Sequence, residues 1–190
     1  MSDTIQGALL FLVNTLFNLY LFVLIVRAIL VWIGANYHEP ITQVIVKLTQ
    51  FIIKPLQGLI PNFRRVECAT LLVILLMEML KFLLISVISY GFPNISGLIL
   101  LAVGDTLKWL LQIFFYAIVL QAIMSWIQPM SPINYTLQRF TSPIMQPIQR
   151  IIPPIGGIDI TPIPALIILQ LLSMLLVSPM MAMGLSIALT

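Results

Sequence analysis

Two pairs of opposite charges stand inside stretches otherwise made of Leu, Ile, Val and Phe: Glu78 with Lys81, and Asp105 with Lys108. Each pair is spaced i,i+3, so on a helix both members share a face. An ionised group in hydrocarbon is costly enough that it turns inward and pairs, and such residues often mark ion or proton pathways. If the segments carrying them form a hairpin about 92–94, counting outward brings Glu78 toward Lys108 and Lys81 toward Asp105. That predicts a four-charge cluster of near-zero net charge. The bland reading is structural pairing, with Lys108 reaching toward the interface; the functional one is a proton- or ion-sensitive site.

The segments that must position these charges are membrane spans. Of 190 residues, 61% are hydrophobic and 8% charged, and the mean hydropathy is +1.11. A soluble domain carries roughly a quarter charged residues, so an ordinary soluble globule is excluded. A formal charge of +3 is too weak and dispersed for a nucleic-acid surface. A spanning helix needs about 20 apolar residues, and four stretches qualify: about 9–33, 69–90, 98–127 and 161–187. The expected fold is all-α, with four transmembrane helices. The first stretch is read as a retained helix rather than a signal peptide, because MSDT lacks Lys and Arg and the apolar run is too long for an h-region. The third is so long that it must tilt, protrude or begin nearer Leu107.

The connections on one side hold Lys47, Lys54, Arg64, Arg65, Arg139 and Arg150, whereas the termini and the 91–97 turn hold no Lys or Arg. By the positive-inside rule those long connections are expected to be cytoplasmic and both termini to face outward.

The chain also repeats itself. A shift of 92 residues lays TQFIIKPLQGLIP, beginning at Thr49, on TSPIMQPIQRIIP, beginning at Thr141. Pro40 meets Pro132, Pro55 meets Pro147, Pro61 meets Pro153, Lys47 meets Arg139 and Glu67 meets Asp159. Upstream the shift is 94, and RAILVW ending at Trp32 falls on QAIMSW ending at Trp126. Residues 1–93 and 94–190 are thus expected to be two copies of one unit, a helix, an elbow and a helix, related by a pseudo-twofold axis along the membrane normal. Polar residues recur under the same shifts: Glu78 with Gln170, Lys81 with Ser173, Lys108 with Asn14 and Gln112 with Asn18.

The elbows, about 40–61 and 132–154, carry apolar residues at helical spacing. Ile41, Val44, Ile45, Leu48 and Ile52 form one set; Ile133, Leu137, Phe140 and Ile144 form the other. Basic side chains interspersed among them predict amphipathic helices at headgroup level, contacting lipid or a partner. Pro143 and Pro147 are expected to kink the second, since a helix-interior proline removes a hydrogen bond and clashes with the preceding turn. Pro153 and Pro154 close it, and Gly156 and Gly157 permit a sharp change of direction. Thr161 before Pro162 reads as N-cap and N1 of the last helix. Arg27 reads as a snorkelling anchor, with Trp32 and Trp126 as interfacial girdle residues. Glu67 and Asp159 read as helix-start charges, Asp159 having a partner-docking role open to it.

The sequence resembles the YggT family, known in other lineages as YlmG and related to a chloroplast factor needed for attaching haem to cytochrome b6. The resemblance rests on the Trp-ended helices, the P-x-x-x-P-x-x-x-x-x-P elbow and the GGID-type helix start, matched best by SPIMQPIQRIIPPIGGIDITP from Ser142 to Pro162. The first copy keeps Arg27 and Trp32 in R-x-x-x-x-W spacing but has Phe51 in place of Pro143, Arg64 and Arg65 in place of the glycines, and Glu67 in place of Asp159. The resemblance associates the chain with osmotic tolerance, division or morphology, and cofactor assembly; haem enters by that analogy alone, and no cofactor is expected from the residues themselves.

No phosphate loop or nucleophile elbow is present, and one cysteine, Cys68, with one histidine, His38, makes no metal set. The chain reads as a non-enzymatic membrane protein whose elbows dock a membrane-protein partner, lipid or a second copy of the chain. The alternative is osmotic or ion homeostasis, by conduction or by modulating a transporter.

Overall fold

A chain this apolar must satisfy its backbone within each segment, and in the computed structural model it is all-helical in its regular structure. The structure describes residues 2–35, 39–58, 60–63, 65–152 and 159–189. Helix α1 spans Ser2–Trp32, α2 Pro40–Gln57, α3 Cys68–Ser89, α4 Ile95–Ile127, α5 Pro132–Ile151, α6 Pro162–Leu172 and α7 Ser178–Ala188, with a π turn at Ser173–Val177 joining the last two. Four helical stretches are long and apolar enough to cross a membrane: Thr4–Trp32, Cys68–Ser89, Ile95–Ile127 and Pro162–Ala188. The third begins at Ile95 rather than near Leu107 and runs for 33 residues, about 50 Å at 1.5 Å per residue. Asn94 fixes that start, its side chain accepting from the Ser96 backbone N–H at 3.1 Å.

The core lies where α1, α3, α4 and α6 meet, around Leu21, Ile25, Val73, Ile74, Ile118 and Leu169. α1 packs on α3, α3 on α4, and α4 on α6 and α7. α4 and α7 approach closely at their glycines. A Cβ on Gly97 would stand 2.3 Å from the Ala188 backbone nitrogen, and one on Gly184 would stand 3.0 Å from Leu101 Cγ. Gly184 and Ala188 form a small-xxx-small pair that lets two backbones meet in lipid, a signal the reading of the sequence passed over. The π turn was also not foreseen. It sits immediately before Ser178 and Pro179, and proline cannot supply the N–H of a regular turn.

α2 and α5 are the two connecting helices. Each opens with proline at its first position, where an N–H would have no intrahelical acceptor. Ser131 caps α5, accepting from the Asn134 N–H at 3.1 Å. α5 is not interrupted at Pro143 and Pro147, where a kink is expected, and runs as one helix through both. One reason is local: proline at 143 leaves the Arg139 carbonyl without its helical donor, and the Ser142 hydroxyl donates to that carbonyl at 2.8 Å. α5 also touches the segment that leads into α2, Arg139 donating to the Gly34 carbonyl at 2.5 Å and the Thr136 hydroxyl to Glu39 Oε2 at 3.2 Å. Gly34 sits at φ 65°, a left-handed conformation that turns the chain out of α1 without a Cβ clash.

Candidate functional site

Three polar constellations stand out, one within the spans and one beside each connecting helix. Within the spans, α3 places Glu78 and Lys81 on one face, and α4 brings Asp105 and Lys108 against it. Lys81 Nζ is 2.5 Å from Asp105 Oδ2 and 2.5 Å from Glu78 Oε2; Lys108 Nζ is 3.3 Å from Asp105 Oδ1. Lys108 therefore joins Asp105 on its own helix rather than Glu78. Glu78 is fully buried, Lys81 1% and Asp105 5% exposed, whereas the Lys108 side chain is 50% exposed, so the cluster is buried at its inner end and open at Lys108. Both Glu78 oxygens nevertheless lack a hydrogen bond of good geometry; the Lys81 contact is ionic by distance but poorly directed.

The neutral polar residues split between two places. Asn18 Oδ1 accepts from Lys81 at 3.3 Å, while Asn14 donates to the Leu10 carbonyl of its own helix at 3.1 Å. Lys108, Gln112, Gln170 and Ser173 line a second space of about 230 Å³.

Beside α2, Arg27 is not a snorkelling anchor. It is 3% exposed, its Nε and Nη2 each donate to Glu67 at 2.9 Å, and its Nη1 donates to Thr49 Oγ1 at 2.8 Å. The planar guanidinium fits a carboxylate in this two-pronged way, so it stays inside instead of extending to water. Glu67 also accepts from Gln57 and Thr70. It holds the N-cap position of α3 without a side-chain capping bond, so it is a helix-start charge that also forms an ion pair tying α1, α2 and α3 together. Burial pushes the Glu67 carboxyl up, yet the hydrogen bonds from Arg27, Thr70 and Gln57 and the Arg27 charge outweigh it and hold the group below the usual carboxylate range.

Beside α5 the parts are similar but the charge is missing. Gln121, at the α4 position that the 94-residue shift aligns with Arg27, is nearly buried and accepts from the Thr141 hydroxyl. Asp159 accepts from Gln149 Nε2 at 3.1 Å, from the Thr161 backbone N–H at 2.9 Å and from the Thr161 hydroxyl. Thr161 does hold the N-cap position before Pro162, but its hydroxyl turns back to Asp159 instead of capping the helix. Among the described residues no cation pairs with Asp159, which is exposed. Gln121 and Asp159 line one cavity of about 660 Å³.

Of the remaining elbow positions, Pro55, Pro61, Pro147 and Arg150 are exposed and Pro143 half-buried, while Pro153, Gly156, Gly157, Arg64 and His38 lie outside the described residues. Trp32 and Trp126 close α1 and α4 and are 46% and 78% exposed. No group of three His, Cys, Asp or Glu that could hold a metal ion occurs among the described residues.

An all-helical chain with four span-length apolar helices and charged groups buried between them is a multi-pass membrane protein. It belongs to the CCB3/YggT family, whose pattern matches residues 6–88 and 100–180. The chain is 34% identical over 182 residues to the uncharacterized protein YggT of Escherichia coli K12, covering 94% of each chain. It is 37% identical over 174 residues to an uncharacterized protein of Vibrio alginolyticus, covering 90% of this chain and 94% of that one. It is 30% identical over 183 residues to one of Pseudomonas aeruginosa, covering 94% and 93%. No solved structure matches it significantly.

Proposed function

We propose that this protein is a non-enzymatic docking or envelope-assembly factor of the bacterial inner membrane, with α2 and α5 on the cytoplasmic side and both termini periplasmic. The observation that carries this reading is the two-faced character of the connecting helices. Thr49 and Ile53 of α2, and Phe140, Thr141 and Met145 of α5, are buried against the bundle. The opposite face of α2 presents Phe51 at 89% exposure beside exposed Lys47 and Lys54, and the outer face of α5 presents exposed Arg150, with Ile151 80% exposed at the helix end. Large apolar side chains next to basic ones suit a headgroup-level surface, or a partner reached there.

Crosslinking from position 51 or 151 in native membranes, followed by identification of the captured protein, tests it. Replacing Pro147 and Arg150 should abolish capture of that partner while cellular ion content stays unchanged; retained capture with altered ion content refutes the docking role.

The intramembrane charge cluster, with Glu78 fully buried and lacking a well-directed hydrogen bond, favours a second reading in ion homeostasis. Proteoliposomes holding the parent protein or the Glu78→Gln, Lys81→Gln variant decide that reading: flux from both no greater than from empty vesicles removes conduction.

A further inference from the structure

The two elbows carry equivalent parts with one subtraction. Under the 92-residue shift Gln57 aligns with Gln149, Thr49 with Thr141 and Glu67 with Asp159, and Thr70 falls one residue from Thr161. In the first elbow, Gln57 and Thr70 donate to Glu67, and Thr49 accepts from Arg27. In the second, Gln149 and Thr161 donate to Asp159, and Thr141 bonds Gln121. The neutral donors recur; the guanidinium does not. Where the first elbow is filled by its own Arg27, the second keeps a cavity of about 660 Å³ with Asp159 on its wall.

We propose that this cavity binds the primary ammonium headgroup of a zwitterionic aminophospholipid, which supplies from outside the cation that Arg27 supplies from within. The charge balance of the wall points this way. Asp159 is its one charged side chain among the described residues, accompanied by neutral amides including Gln138, Gln146 and Gln149. An anionic headgroup would meet a carboxylate and no countercharge. A zwitterion instead places its ammonium on the carboxylate and offers its phosphate to amide N–H donors. The source is a lipid rather than a protein side chain because the same cavity is walled by Val119 and Ile123 of α4 and by Ile163 and Leu166 of α6. These lie on helices long enough to cross the bilayer, so an apolar flank for acyl chains adjoins the polar end. This inference stands apart from any docking role of the helix surfaces.

The test is native mass spectrometry of the purified full-length chain, offered phosphatidylethanolamine, phosphatidylcholine and phosphatidylglycerol with identical acyl chains. The three headgroups present an ammonium with N–H donors, a quaternary ammonium without them, and no cation. Phosphatidylethanolamine should be retained over the other two by about tenfold, the size expected for one charge-assisted hydrogen-bonded contact. Asp159→Asn, at an exposed position, should remove that preference without unfolding the chain. Gln121→Arg should also remove it by filling the cavity with an internal guanidinium, and should raise the melting midpoint. Equal retention of all three lipids, or a preference unchanged by both substitutions, overturns the proposal. So does Asp159-dependent binding of a short arginine-bearing peptide that displaces no lipid, since it would assign the cavity to a protein partner.

Discussion

The first elbow is closed and the second is open, and the cation that closes the first, Arg27, is replaced by Gln121 in the second. At the end of α1 a guanidinium reaches the carboxylate before α3, and Glu67 is 7% exposed. At the corresponding place near the end of α4, glutamine is too short and uncharged, and Asp159 stays exposed beside a cavity. The lesson is that matching prolines and backbone elements can coexist with opposite electrostatic outcomes: one elbow is cross-linked from within, and the other is left to be completed.

The strongest way to break the comparison is Arg27→Gln, which makes the first elbow resemble the second. It leaves Glu67 buried without its cation, which costs about 3–5 kcal/mol for a broken buried pair. Thermal unfolding in detergent should show a large fall in midpoint; an unchanged midpoint would mean that the ion pair does not hold α1, α2 and α3 together. Adding Glu67→Gln to Arg27→Gln should recover most of that loss, because two neutral amides no longer leave a charge stranded. A double variant as unstable as the single one would shift the explanation from charge to packing.

A smaller effect is expected from acid. The Glu67 carboxyl titrates lower in the folded chain than in the unfolded one, so the unfolded chain binds more protons between the two values. The resulting stability is present above the unfolded value and declines as pH falls through the folded one. Melting curves from neutral pH to below the usual carboxylate range should show this decline, flattened in the Arg27→Gln, Glu67→Gln variant. The smallest effect belongs to Asp159→Asn. Its exposure and lack of an ion pair among the described residues limit the cost to under about 1 kcal/mol; a cost equal to that of Arg27→Gln would erase the distinction between the elbows.

Much of the architecture could be read directly from residue patterns. Runs such as Ala69–Tyr90 need an internally bonded backbone, and proline at positions 40 and 132 marks helix starts. The i,i+3 spacing put Glu78 beside Lys81 and Asp105 beside Lys108, but which carboxylate Lys108 would join depended on the rotation of α3 against α4. Arg27 was misread because one sequence cannot distinguish an arginine that extends to water from one that meets a carboxylate 40 residues away. That α5 would pass Pro143 uninterrupted was not legible, because the Ser142 hydroxyl that serves the freed carbonyl acts within the folded turn.

Composition and periodicity by themselves determined that the chain is helical and lives in lipid, because apolar length and backbone hydrogen bonding are local requirements. Only the tertiary structure decided which charges neutralise one another, how closely Gly97 meets Ala188 and why one elbow is filled while the other holds a cavity. Those outcomes depend on distances of a few ångströms between helices far apart along the chain, and charge pairing and packing both change steeply over such distances.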